Sequence, residues 1–296
     1  MKTKALIAFL IFSTLHGSFL KIYSQTSFRE DGVIIDTVTN LPIDFANIGI
    51  IGKDLGTVAN DSGHFHLYIE NKFLHDSLTV ARLGYFKKSI KISELANERI
   101  NYIYLIPRTI ELDQVQIEAK KFNTKIIGKK TSTKSAVMYF SSDSTKLGHE
   151  FGIIFHLPHN PVLIKDFNFH ISYNRPDSAK LSLNIYRYSN DKIGESQLDK
   201  PIYFTIRNND IGDYKVDLSK YKIWRSQDVL ITIENLKIYI SHGPDPKVKF
   251  DNFSYDRILI SLALLGSKTY ERKVSLGKWE KLSSIYSPGF WITILE

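Results

Sequence analysis

Two histidine pairs have spacing that could support chemistry. In His64-x-His66 the side chains alternate as on a strand, so both imidazoles share one face and a metal ion could bridge them. Phe65 between them reads as core, which turns both histidines toward solvent. His156-x-x-His159 spans Pro158 and reads as a loop. Neither pair has the His-x-x-Glu or His-Glu-x-x-His spacing that lets side chains converge on a hydrolytic zinc ion. There is no Gly-x-Ser-x-Gly elbow for a serine nucleophile. Gly128-Lys129-Lys130-Thr131 lacks the upstream glycine and the Gly-Lys-Ser/Thr order of a phosphate loop. No EF-hand pattern occurs. The chain has 0 cysteines, which removes disulfides, thiolate metal sites, a cysteine nucleophile and lipid attachment through cysteine. Paired carboxylates for glycoside hydrolysis leave no sequence signature, because their separation is spatial. The Asp and Glu residues here sit mostly at turns, where solvent exposure is expected. These observations imply no catalytic residues, no metal and no cofactor.

The feature with binding chemistry is a C-terminal aromatic and basic cluster: Tyr270, Arg272, Trp279 and Trp291, with Lys278, Lys281, Tyr286 and Phe290 among them. Aromatic rings stack on sugar rings, and Arg and Lys bind hydroxyls or anionic groups. The same residues have a structural reading. Phe290 and Trp291 suit the core of a last strand, and Trp279 suits the packing of a hairpin. Trp224, close to Tyr221, carries the same two readings.

The elements that must hold these residues read as strands. Gly, Pro, Asn and Asp recur between short alternating apolar runs, as in sandwiches and barrels. The aromatic share of 12% favours β-structure. One short stretch, Ile92 to Glu98, is compatible with a helix. The length of 296 residues suggests two domains.

Residues 1–24 read as a signal peptide. Lys2 and Lys4 supply the basic start, Ala5 to Leu15 the apolar run, and Ser24 a small residue before Gln25. The alternative is a membrane anchor that is retained, but the run is shorter than the ~20 residues of a spanning helix. No later stretch approaches that length, so no integral membrane span is expected once the signal is removed. The net charge of +8 falls by three, to +5, with Lys2, Lys4 and Lys21 gone. The basic residues form no helical stripe, and nucleic acid is not an expected partner.

Residues 28–118 form one unit. Its strands read as Gly32 to Asp36, Phe45 to Ile51, a short strand between Gly56-Thr57 and Asn60 to Gly63, an alternating Phe65-Leu67-Ile69 strand, Ser77 to Arg82, Ile103 to Ile106 and Gln114 to Glu118. Thr37 to Pro42 is a turn, Gly63 takes positive φ, and Phe65, Leu67, Leu78 and Val80 are core. Gly32-x-Val/Ile-x-Asp36-x-x-Thr39-x-x-Pro42-Ile43-x-x-Ala46-x-Ile48, with Ile34 at the Val/Ile position, is followed by Gly56-Thr57, Asn60-Asp61-x-Gly63-x-Phe65-x-Leu67, Asp76-Ser77-Leu78-x-Val80 and Gly84-Tyr85. This set resembles the carboxypeptidase regulatory-like domain, a transthyretin-like (Ig-like) β-sandwich. The exit Leu112-Asp113-x-Val115-x-Ile117 is similar to that of envelope proteins carrying the module. The resemblance implies an accessory module. In such families it follows carboxypeptidase catalytic domains or precedes outer-membrane receptor plugs in Bacteroidetes-type bacteria. Neither a metallopeptidase domain nor a receptor barrel follows here.

Residues 119–145 carry Lys120, Lys121, Lys125, Lys129, Lys130 and Lys134 with no acid before Asp143, and read as a basic linker. The alternative is a docking strip for anionic glycan or lipid headgroups. Val137 to Phe140 is a candidate first strand of the next unit. Residues 146–296 show about eight strands spaced as in a jelly-roll-like β-sandwich. This half is similar to uncharacterised C-terminal β-domains that follow the module in Bacteroidetes proteins, which implies no activity. The expectation is an all-β, exported, non-enzymatic accessory protein of the cell envelope: periplasmic, outer-membrane-associated or secreted. It would present its sandwiches to an envelope protein or glycan. The alternatives are a carbohydrate-binding protein acting through the second sandwich, and an unrecognised envelope hydrolase.

Overall fold

A computed structural model describes residues 27–95, 100–108, 122–244, 247 and 255–296. The signal segment 1–24, the helical stretch beyond Leu95 as far as Glu98, the strand Gln114 to Glu118 with the Leu112-to-Ile117 exit, and Lys120 and Lys121 lie outside the described residues. Strand occupies 55% of the structure and helix 5%, which makes the fold all-β as expected.

The first sandwich is built from β1 (Ser27–Asp36), β2 (Asn47–Gly49), β3 (Gly56–Val58), β4 (His64–Glu70), β5 (Ser77–Ala81), β6 (Lys88–Lys91) and β7 (Asn101–Leu105). One sheet has the order β4-β1-β7 and the other β3-β2-β5-β6. Residues with period two drive this arrangement. Phe65, Leu67 and Ile69 point inward from β4, and Leu78 and Val80 do so from β5. His64, His66 and Tyr68 alternate outward and are exposed. The turn after β1 is organised by Asp36, whose Oδ1 accepts from the backbone N–H of Val38 at 2.7 Å and Thr39 at 3.0 Å. These bonds lower the Asp36 pKa, with Thr39 contributing most, and the Tyr85 hydroxyl donates to the second oxygen at 2.8 Å. Gly63 has φ of +72°, as the tight turn demands, and the helix is a single turn, α1 (Ile92–Leu95).

The second sandwich begins inside the stretch read as a linker. Strands β8 (Thr124–Gly128) and β9 (Val137–Ser141) lie there. β8 pairs with the last strand of the chain, and β9 forms the strand expected near Val137. Lysines concealed β8, because an edge strand carries lysines on its outward positions and on its open side. The remaining strands are β10 (Glu150–Phe155), β11 (Val162–Asn174), β12 (Ser178–Ser189), β13 (Lys192–Ser196), β14 (Ile202–Arg207), β15 (Gly212–Asp217), β16 (Ile223–Arg225), β17 (Val229–Tyr239), β18 (Arg257–Leu264), β19 (Thr269–Arg272), β20 (Glu280–Leu282), β21 (Tyr286–Pro288) and β22 (Trp291–Leu295). A seven-stranded sheet runs β13-β12-β17-β10-β19-β20, with β14 also on β12. The facing sheet runs β21-β18-β11-β22-β8, with β9, β15 and β16 attached. Phe140, Phe151, Phe167, Phe169 and Phe290 fill the space between the sheets; Phe140 and Phe151 stack at 4.6 Å, and Phe167 meets Phe290 edge-on at 4.9 Å.

The two sandwiches are docked. Phe45 meets Tyr203 edge-on at 5.2 Å and packs with Val58 against Leu236 and Leu147. Arg82 holds Asp44 through two bonds and lies 5.3 Å from the Tyr203 ring. The backbone N–H of Gly52 donates to Leu276 O at 3.0 Å. A Cβ at Gly56 would fall 2.1 Å from the Ser275 carbonyl oxygen, so only glycine allows this approach.

Candidate functional site

Docking covers part of the outer face of the seven-stranded sheet. Glu150, Asn184, Tyr186, Thr232, Glu234, Tyr270 and Arg272 all sit at outward positions, alternating with the inward residues Phe151, Ile153, Ile231, Ile233, Leu183 and Ile185. By alternation alone these polar residues belong in water. Instead Glu150, Glu234 and Arg272 are buried, with side chains 0%, 3% and 8% exposed. Arg272 pairs closely with Glu150 and lies 3.9 Å from Glu234. Asn184 donates to both carboxylates at 3.0 Å, and Thr232 donates to Glu150 in a short bond. The Trp279 ring lies 4.9 Å from the Arg272 guanidinium and meets Tyr186 edge-on at 5.6 Å.

The electrostatics follow from this enclosure. Burial, then the Glu150 charge, push Glu234 up to about 7 against the pull of Arg272. For Arg272 burial acts downward, but the carboxylates outweigh it and the group is held firmly protonated. Burial drives the Tyr186 hydroxyl well above its usual range. Two carboxylates and a guanidinium sealed from water form an ion network, and they have no access to a substrate.

The cluster read from the sequence is therefore split. Tyr270, Arg272 and Trp279 come together around this network. Tyr270 is 6% exposed; it packs with Tyr188, Ile154 and Leu230, and its hydroxyl lies 3.1 Å from that of Tyr188. Trp291 stands elsewhere, on β22, 8% exposed and with Lys130 5.5 Å from its ring. The four do not form one exposed platform, because three of them face the docked and packed side of one sheet while Trp291 belongs to the other. The expectation that Asp and Glu side chains are solvated is corrected at Glu30, Asp36, Glu150, Asp166 and Glu234, all buried. Glu30 is a second case of burial pushing a carboxyl up to about 7, opposed by its bond from Asn101.

The exposed face with binding chemistry lies on the first sandwich. Cross-strand pairing aligns Tyr68 with Arg29, Tyr102 with Val33 and Tyr104 with Ile35, all on the outer side of the β4-β1-β7 sheet. The three tyrosines are 58%, 60% and 45% exposed. A cleft of about 450 Å³ bordered by Arg29, Asp31, His64, His66 and Ile100 adjoins them. Both histidines face solvent as expected, and no group of three metal-ligating side chains occurs among the described residues. His156 pairs with Asp228 at 2.6 Å.

The family of the first sandwich follows from its sequence. Residues 30–117 match the family model of the CarboxypepD_reg-like domain. The match ends before the second sandwich begins. A comparison with curated proteins returned no match. Among solved structures, the chain is similar to the cysteine protease and lectin-like domains of Cwp84, a surface layer associated protein of Clostridium difficile, at 11% identity and a TM-score of 0.33, covering 55% of this chain and 36% of that one. A second clostridial Cwp84 structure, captured after propeptide cleavage, gives 10% identity and a TM-score of 0.31, covering 55% and 41%. The infectious bursal disease virus VP2 subviral particle gives 10% and 0.24, covering 92% and 79%. The chain thus spans about two-fifths of the length of the Cwp84 chains it matches. At these TM-scores none of the three informs the fold or the function.

Proposed function

We propose that the protein is an exported, non-enzymatic accessory protein of the cell envelope, in which a CarboxypepD_reg-like sandwich, held on a second sandwich, presents a tyrosine-rich sheet face to an envelope protein. The observation that carries this reading is the outward row of Tyr68, Tyr102 and Tyr104. Tyrosine supplies large, rigid, amphipathic contact area and is enriched where proteins bind one another. The sealed state of the Glu150–Arg272–Glu234 network supports the non-enzymatic part, since its paired carboxylates are occupied in holding structure. Export rests on the Lys2, Lys4 and Ala5-to-Leu15 pattern. The test is affinity capture from envelope fractions with the wild-type chain and with a Tyr68→Ser, Tyr102→Ser, Tyr104→Ser variant. A partner lost by the variant at an unchanged melting temperature supports the reading. Identical capture by both proteins would overturn it.

A second reading, carbohydrate binding through the second sandwich, is favoured by an arginine-lined cleft at one open end of that sandwich.

A further inference from the structure

Along β12 the inward row runs Leu181, Leu183, Ile185 and then Arg187. Arg187 pairs across the sheet with Val229, whose side chain is in the core. On the facing sheet, β16 carries inward Ile223 and then Arg225, opposite the core residue Val162. The inner faces of both sheets therefore change from aliphatic to arginine at the same end of the sandwich. Between them opens a cleft of about 210 Å³, bordered also by Gln197, Trp224, Ser226 and Gln227.

The charge in this cleft is only partly offset: the Asp199 carboxylate acts on Arg225 from nearby, and Arg187 has no acid paired to it among the described residues. Arg225 donates to the backbone carbonyls of Trp224, at 2.5 Å, and of Gln197, and its Nε is buried with no hydrogen-bond partner. Arg187 is exposed and forms no ion pair among the described residues. Asp228 also borders the cleft and is turned toward its rim, where one oxygen bonds His156 at 2.6 Å and the other accepts from the Leu157 N–H at 3.3 Å; two guanidiniums against this one lining carboxylate leave the cleft positive. A guanidinium presents planar donors that match a carboxylate. The two glutamines and Ser226 supply donors and acceptors suited to hydroxyls. The volume lies below the ~300–1,000 Å³ of pockets for drug-sized ligands, so it suits one ring rather than a chain.

We propose that this end of the second sandwich binds a carboxylate-bearing sugar, a hexuronate, with Arg187 and Arg225 on the carboxylate and Gln197, Ser226 and Gln227 on ring hydroxyls. The site deepens the carbohydrate-binding reading and rests on it. A uronate free in solution and one at the end of a polysaccharide share this chemistry.

The experiment titrates the full chain with glucuronate, a glucuronate-terminated disaccharide, glucose and acetate, read by tryptophan fluorescence (Trp224 borders the cleft) and by calorimetry. Glucuronate saturates; glucose does not; acetate binds at least about ten-fold more weakly, since it lacks the hydroxyls. Arg187→Gln weakens glucuronate about ten-fold, the loss of one charge-assisted contact. Gln227→Ala, also at an exposed position, weakens it less and gives a second variant. Tighter binding of the disaccharide identifies a polysaccharide end as the source, and equal binding identifies the free sugar. The site is overturned if glucuronate shows no saturation up to about 20 mM, if acetate binds as well as glucuronate, or if Arg187→Gln leaves the affinity unchanged. Failure of the wider reading is distinguishable: no member of a glycan array binds. Failure of this site alone leaves array binding intact and indifferent to Arg187→Gln.

Discussion

Arg272 and the Arg187–Arg225 pair sit on the same sandwich and were met by opposite fates. Arg272 projects from the outer face of a sheet, where water would be its natural neighbour, yet two carboxylates, Trp279 and Tyr186 enclose it. Arg187 and Arg225 project from inner faces, where aliphatic residues belong, yet they stand at the open end: Arg225 is held by two backbone carbonyls and feels the Asp199 carboxylate, while Arg187 has no acid paired to it among the described residues. A buried charge surrounded by its partners is committed to structure, because removing any member leaves an uncompensated ion. A charge at a mouth without partners is available to a ligand. Exposure and pairing, not residue type, separate the two.

The sharpest way to break this contrast is to truncate Arg272. Arg272→Ala leaves Glu150 and Glu234 facing each other under the docked sandwich. It is expected to destabilise the chain by about 3–5 kcal/mol at neutral pH, measured by urea denaturation. A loss below about 1 kcal/mol would mean that water, and with it a ligand, reaches the carboxylates.

Glu234 sharpens the same comparison through pH. Its pKa rises from an ordinary 4.5 to about 7, so the folded chain holds a proton that the unfolded chain has released. Folded binds more protons than unfolded between those values, and stability falls as pH rises through that window. The contribution is full below about pH 4.5, is lost by about pH 7, and amounts to about 3 kcal/mol at most. Glu234→Gln keeps the bond from Asn184 and removes the titration, so it is expected to gain on wild type between pH 5 and 8. A residual slope of the same sign remains from Glu30, also pushed up to about 7 by burial. Equal slopes in wild type and Glu234→Gln would show that the carboxyl is not sealed. Near the mouth, Arg187→Gln is expected to leave the whole profile unchanged.

Part of this architecture is legible in the sequence. Period-two patterns placed Phe65, Leu67, Leu78 and Val80 in the core and His64 and His66 in solvent, because alternation depends on the strand alone. The same rule put Glu150, Glu234 and Arg272 in water and was overridden, because a second domain covers that face and nothing local records the docking. Gly56 was legible only as one bound of a short strand, although its role is to let Ser275 approach. The β9 strand was legible near Val137, but β8 was hidden by lysines that suit a sheet edge as well as they suit a linker. The arginine mouth did leave a signal in Leu181-x-Leu183-x-Ile185-x-Arg187, where an inward row ends in a charge. That signal is incomplete by itself, because the facing half, Ile223-x-Arg225, lies far away in sequence.

Docking itself is probed by Gly56→Ala. Its Cβ would meet the Ser275 carbonyl at 2.1 Å, a backbone atom that cannot rotate away. The expected cost is about 2 kcal/mol, with faster proteolysis between the sandwiches. If the two sandwiches separate, Glu234 regains water and its pH slope flattens, which joins this variant to the previous prediction.

The smallest expected effect completes the contrast. Arg187→Gln should change stability by no more than about 0.5 kcal/mol, since the side chain is exposed and unpaired. The test is a pair of denaturation curves for Arg187→Gln and Arg272→Ala under identical buffer. A large loss at Arg187 would mean that the arginine is a structural plug of the sandwich end, as Arg225 partly is through its bonds to the carbonyls of Gln197 and Trp224. A negligible loss leaves Arg187 a charge that the fold does not need. An inward-row arginine that the fold does not need meets the condition of the uronate site proposed above, whose own test is the titration with glucuronate.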